Sequence, residues 1–474
     1  MNHERLKGGP IGPWGLAALV VGVTSPAIGL FATWGPIETE AGPIAPLVFL
    51  AALLIILPTV LSYASLNQDA PSAAAGSAWL WRAAGPFAGL LGGAVTVSYF
   101  VMAATTVPIL FGLFFAELLG RLGVSLSPGA AVAVGLLVHS LVVGWISLRG
   151  IRSSIRTTLT LMVLETVVVL ALSLTILIVK ARVPGGLTLA PLSAASATHG
   201  LPGFWNAVLL GILAFSGFDV VAATAEEAAA PKRHIPMILT GAVIGIGLFW
   251  AANAWVLTLS ASPADVAAYS ASGLTAITQV ARSYWGWGDL VVIATAFTGL
   301  TAIYLSCVQG ASRVIFALAR HGVLPQSLGR TSGETATPRA AVLSVLVLCA
   351  VLGLAGMALL GNGLDCFVWW SDAMVFFAAL TFAGVNCANL LYYRRVQPDR
   401  FHVVRNLLVP VTGVALSLYL LYAAFFQALW SEPFRTGRSV VLACVLLFAL
   451  QVLGALVFTA KRPELSRHAP PIGV

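Results

Sequence analysis

Long apolar runs, each close to the length needed to cross a lipid bilayer, alternate along this chain with short loops that hold most of its charge. They predict spans at about 14–34, 44–65, 86–117, 129–148, 155–180 and 204–228, then at about 237–260, 288–318, 340–360, 366–392, 406–429 and 438–460. The pattern therefore predicts an all-α integral membrane protein of about 12 transmembrane helices. An even number of spans puts both chain ends on one side.

Two spans break their own pattern. The first, WGLAALVVGVTSPAIGLFATWGP, is interrupted mid-way by Gly22, Thr24-Ser25-Pro26 and Gly29, and Pro26 has no amide hydrogen to donate. The sixth is interrupted at Phe215-Ser216-Gly217-Phe218, and Asp219 follows at once, although an acid at bilayer depth costs at least ~2.5 kcal/mol. Backbone breaks in a membrane only beside protein or a water-filled cavity. Interrupted helices five spans apart predict two inverted repeats, residues 14–180 and 204–392, with a small-molecule substrate held between the breaks. Residues 406–460 then form two further spans, between terminal tails at 1–13 and 461–474. Packing kinks are the bland alternative, since small residues and Pro are tolerated at helix contacts in lipid.

Composition agrees with the pattern. Of 474 residues, 59% are hydrophobic and 9% charged, far below the ~25% charged of a soluble domain. The net charge of +8 sits in short loops, so topology accounts for it and no nucleic-acid partner is expected. Nineteen of the 25 Lys and Arg fall on the side of the termini, among them Arg149, Arg152, Lys232, Arg233 and Arg394. The other six are Arg121, Lys180, Arg182, Arg282, Arg435 and Arg438, and this asymmetry predicts cytoplasmic termini in a multi-pass protein of the plasma (inner) membrane. The first apolar run lacks a small-residue cleavage site and is long enough to stay as a span, so no signal peptide is expected.

No catalytic constellation, metal-ligand spacing or cofactor motif is present, and an enzyme is not expected. Cys307, Cys349, Cys366, Cys387 and Cys444 read as small core residues. The acid pairs Glu226-Glu227 and Glu38/Glu40 read as solvated faces at helix ends or loops, and Trp79 and Trp81 as headgroup anchors. Three other ionisable residues lie at membrane depth. Glu165, alone in the interior of the fifth span, is suited to loading and releasing a proton or to a structural hydrogen bond, while His139 reads as structural and Asp372 as an outer gate or a wet residue.

The interrupted first span, Ser62 to Pro86, FSGFDVVAATAEEAAAPKRHIP (215–236) and ASRVIFALARHGVLP (311–325) together resemble the amino acid–polyamine–organocation (APC) superfamily of permeases. The resemblance covers spans one to ten in order. It implies a LeuT-like 5+5 inverted repeat with broken helices 1 and 6, substrate-binding positions at Thr24, Ser25, Pro26, Ala27 and Ile28, and others at Phe215, Ser216, Gly217 and Phe218. Glu165 and Asp219 are the proton-coupling candidates, Glu165 standing where some proton-coupled relatives carry a Lys, while Asp219 is also suited to attracting a cationic substrate or to capping and ordering the broken helix. Thr-Ser-Pro-Ala-Ile departs from the family's glycine-rich break, which leaves the Thr24 and Ser25 hydroxyls and the amides of Ala27 and Ile28 to meet a substrate carboxylate.

The function this implies is secondary active transport of an amino acid or related amine by alternating access, with protons as coupling partner. A polyamine carrier, an exchanger without proton coupling, a transporter-like sensor and a channel are the rival readings. Short predicted tails argue against the sensor, and occluding broken helices against the channel.

Overall fold

A computed structural model describes residues 11–124, 126–262, 264–266, 268, 276–331, 337–426 and 438–462. Most of both expected tails, and the basic residue Arg435, therefore lie outside the described residues. Twelve helical segments among those described are long and apolar enough to cross a membrane. No extended strand occurs among them, although Ile11 pairs with Ala228 in an isolated parallel bridge.

The first span is two helices, α1 (Pro13–Thr24) and α2 (Ile28–Phe31), continued by α3 (Trp34–Ala41). Next come α4 (Ala45–Asp69), a short α5 (Gly76–Ala84), α6 (Pro86–Arg121), α7 (Pro128–Leu148) and α8 (Ile151–Ala181). The sixth span is again divided, into α9 (Gly200–Phe215) and α10 (Val220–Ala223). After it follow α11 (Pro231–Ser260), α12 (Ala276–Trp285), α13 (Gly288–Arg320), α14 (Arg339–Leu360) and α15 (Gly363–Arg395). The eleventh span opens with a π-turn at Val404–Leu408 and continues as α16 (Val409–Leu421), and α17 (Arg438–Lys461) is the twelfth.

Burial sorts these helices into centre and periphery. The first and third spans are the most enclosed, and α17 the least, so the outer face of a helix such as α7 leaves Leu141 and Trp145 exposed where lipid would cover them. With no hydrophobic force to join helices inside a bilayer, polar side chains bind them instead. Ser62 on α4 donates to Asn386 of α15 at 2.7 Å, Asn389 donates back to Ser62 at 3.1 Å, and Asn406 donates to Asn389 at 2.9 Å.

One sequence expectation fails here. Trp79 and Trp81 are buried in α5, not anchored in the headgroups, because α5 folds back against α6 and the Trp79 indole donates to the Ala70 carbonyl at 2.7 Å.

Candidate functional site

Pro26 cannot continue the helical ladder, and the first span opens around it. Thr24 ends α1, Ser25 takes φ +48°, and α2 restarts at Ile28 with its amide donating to Ser25 Oγ at 3.0 Å. The Thr24 hydroxyl points back to the Val20 and Val21 carbonyls, at 3.1 and 3.2 Å. The Trp250 indole of α11 donates to the Pro26 carbonyl at 3.2 Å, satisfying one of the groups that the break releases.

Opposite this break lies the other. Phe215 ends α9, Ser216 is extended, and Gly217 takes φ +100°, a conformation that disfavours any side chain. A Cβ there would also stand 2.5 Å from Val23 Cγ2, so the bare backbone of the sixth span lies directly against the last turn of α1. Each position from Thr24 to Ile28 thus has a hydrogen-bond partner, Pro26 through its carbonyl, and Phe215 and Phe218 are fully buried. Phe218 meets Tyr63 edge-on at 5.8 Å and Phe382 at 5.4 Å.

Asp219 stands at the N-cap of α10 but makes no capping bond with its side chain. Instead its carboxylate accepts the hydroxyls of Tyr63 (2.9 Å) and Tyr99 (3.3 Å), from α4 and α6. Neither tyrosine is singled out by the sequence, since each sits in an apolar run like any core aromatic.

Glu165 is fully buried, and its surroundings explain its place in an apolar span. Oε2 accepts the Ser25 hydroxyl and, at 3.3 Å, the Ala27 amide, while Oε1 has no partner among the described residues. Gly299 of α13 makes the approach possible, since a Cβ there would stand 2.7 Å from Ser25 Oγ and 3.0 Å from Glu165 Oε2. The fifth and eighth spans thus close on the hinge of the first. The donors that the sequence offered to a substrate carboxylate are all engaged here: Ser25 and Ala27 by Glu165, Ile28 by Ser25, and Thr24 by the Val20 and Val21 carbonyls.

Two expectations about acid pairs are corrected. Glu227 is buried, not solvated, because Arg313 of α13 is buried with it and donates Nε to Oε2 at 2.5 Å and Nη2 to Oε1 at 3.1 Å. Gln309 also binds Arg313 and donates to Ser154 of α8 at 2.8 Å, while Arg320 pairs with Glu226 at 2.5 Å. Backbone bonds from Ile11 to Glu227 (3.1 Å) and from Ala229 to Ile11 (2.8 Å) add the start of the described chain to this latch. In α3, beyond the first span, Glu38 is buried under α11, where Thr258 donates to it.

His139 stacks on Phe111 at 4.1 Å and has Thr301 Oγ1 3.3 Å from Nε2, a packed setting away from both breaks. Asp372 is half-buried on α15. Among the described residues no group of three His, Cys, Asp or Glu side chains is arranged to hold a metal ion.

A family model described as "Amino acid permease" matches residues 11–450. The chain belongs to the amino acid permease family. It is similar to the branched-chain amino acid permease BcaP of Lactococcus lactis subsp. cremoris, at 26% identity over 66% of this chain and 68% of that protein. BcaP of Bacillus subtilis is 24% identical over 72% of this chain and 74% of its own length. A solved structure of a mutant manganese transporter from Eremococcus coleocola superposes with a TM-score of 0.57, covering 94% of this chain and 95% of that one at 13% identity, which shows a shared fold. This amino acid permease is thus a multi-pass membrane transporter of the APC superfamily rather than an enzyme, with a LeuT-like bundle of twelve spans among the described residues, the first and sixth of them broken.

Proposed function

We propose that this permease carries a neutral, branched-chain-like amino acid across the plasma membrane by alternating access, binding it between the two breaks and coupling its movement to a proton on Glu165. Both termini are cytoplasmic in this reading, and residues 14–180 and 204–392 are the two repeats. The observation that carries it is the buried Glu165 carboxylate, which grips the hinge of the first span through Ser25 and Ala27 and leaves Oε1 without a described partner. A charged carboxylate accepts both donors strongly; a protonated one accepts them weakly and has a hydrogen to give. Proton occupancy therefore sets how tightly the fifth span holds the hinge that must move.

Substrate class follows from the walls. Val23, Phe215 and Phe218 are apolar, and Asp219, the nearby acid, is taken up by Tyr63 and Tyr99 rather than held ready for a cationic side chain. Relatives named as branched-chain amino acid permeases point the same way. Backbone at Ser216 and Gly217 supplies carbonyls for the substrate ammonium, and the hinge donors meet its carboxylate when Glu165 releases them.

Purified protein in liposomes tests this with labelled leucine, arginine and putrescine under an imposed pH gradient. Leucine is concentrated in preference to the cations, and Glu165→Gln abolishes concentration while leucine–leucine exchange continues, because exchange needs no net proton movement. A Gln variant that still concentrates leucine with ordinary pH dependence makes Glu165 structural. Labelling of Cys substituted at Arg233 by an impermeant reagent on intact cells would overturn the orientation.

A further inference from the structure

Away from the breaks, a groove of about 530 Å³ opens on the surface of the bundle between α4, α11 and the π-turn. Leu61, Ala64 and Gln68 form one wall, three and four residues apart on α4. Met237, Thr240 and Gly241 form the second on α11, and Arg405 and Val409 the third. A Cβ at Gly241 in the groove, or at the exposed Gly245 one turn on, would meet nothing within 4 Å, so the surface of α11 leaves open space there for a slender chain.

Its polarity is graded. The deep part is apolar, and the mouth holds the exposed Arg405, whose Nη2 donates to Gln68 Oε1 at 2.8 Å. Arg233 is exposed one helical turn before Met237, about 6 Å along the axis and on the same face, with Lys232 beside it. No carboxylate lines the groove, and Asp69, next to Gln68 in the chain, is already matched by Arg400 and Tyr393. A mouth of unmatched positive charge over an apolar slot is complementary to one anionic headgroup with its acyl chain. The π-turn that presents Arg405 is held rigidly, because Asn389 donates to the Arg405 carbonyl at 3.1 Å and Asn406 to Asn389.

We propose that this groove is a binding site for an anionic phospholipid of the leaflet on the Arg233 side, its phosphate at Arg405 and Arg233 and one acyl chain along Gly241 and Gly245. The leaflet is the cytoplasmic one on the orientation proposed above. Such a leaflet carries the anionic surface that juxtamembrane basic residues favour. A lipid in that slot joins the second, seventh and eleventh spans, at the place where the π-turn interrupts regular packing.

The test uses the full chain, delipidated in neutral detergent, so it depends neither on orientation nor on transport. Thermal shift is measured with phosphatidylglycerol, phosphatidylcholine and sn-glycerol 1-phosphate. Phosphatidylglycerol is expected to stabilise the protein and the other two to do little. Arg405→Gln and Arg233→Gln should each weaken its apparent affinity about five-fold, and Gly241→Phe should remove binding by filling the slot. Equal stabilisation by phosphatidylcholine, an equal effect of the glycerol phosphate, or a double Arg variant with undiminished preference overturns the proposal. Should a variant fail to fold, photoactivatable phosphatidylglycerol on the wild type decides: adducts on 236–241 and 405–409 support the site, and adducts only elsewhere refute it.

Discussion

Tyr63 donates its hydroxyl to Asp219 over 2.9 Å, tying the second span to the break in the sixth. With Tyr99 donating from the third span, three helices meet on one carboxylate beside the proposed substrate position. Removing one donor from a buried acid costs about 1–3 kcal/mol. Tyr63→Phe is therefore expected to lower thermal stability and weaken leucine uptake. Combined with Asp219→Ala it should cost less than the two single changes added, because both remove the same bond. Strictly additive losses in that cycle would mean that the pair does not interact.

Gly217 is the backbone position most exposed to test. Its φ of +100° would cost a side chain about 1–2 kcal/mol, and the contact with Val23 forbids bulk at the same point. Gly217→Leu should still reach the membrane, at reduced levels, and lose uptake per molecule. Wild-type uptake by that variant would reduce the break to a packing feature and move the binding site elsewhere.

The buried ion pair at the other end of α10 predicts an asymmetry between single and double changes. Arg313→Met leaves Glu227 buried and unpaired, which costs about 3–5 kcal/mol. Expression and melting temperature should fall sharply. Restoring neutrality with Glu227→Gln in the same chain should recover much of that loss, since the cost lies in the uncompensated charge and not in the missing contact. No recovery in the double variant would contradict that account.

Glu38, beyond the end of the first span, gives a pH dependence with a definite sign. Burial raises its pKa from 4.5 to about 8, outweighing the hydrogen bond from Thr258. Because the folded state holds this proton more tightly than the unfolded chain, the contribution is complete below pH 4.5 and is lost as pH rises through 8. The slope from one such group is at most about 1.4 kcal/mol per pH unit. Glu38→Gln should flatten the fall in melting temperature across this window, and an unchanged profile would place the titrating group elsewhere.

Much of this architecture is local in origin, and so it was legible in the residue order. A bilayer needs runs of about 20 apolar residues, Pro26 and Gly217 interrupt such runs through their own backbone chemistry, and an acid at 165 or 219 stands out against its apolar neighbours. Those signals located twelve spans, the two breaks and the family. Partnership is different, because it joins residues far apart in the chain. Ser25 and Glu165 are 140 positions apart, Tyr63 and Asp219 are 156 apart, and nothing near Glu227 announces the buried Arg313 that turns a seemingly solvated acid into half of an ion pair. Charge near a helix end looks the same in sequence whether water or a guanidinium covers it. Packing decides between them, since only the assembled bundle brings a compensating group into the space from which water has been excluded.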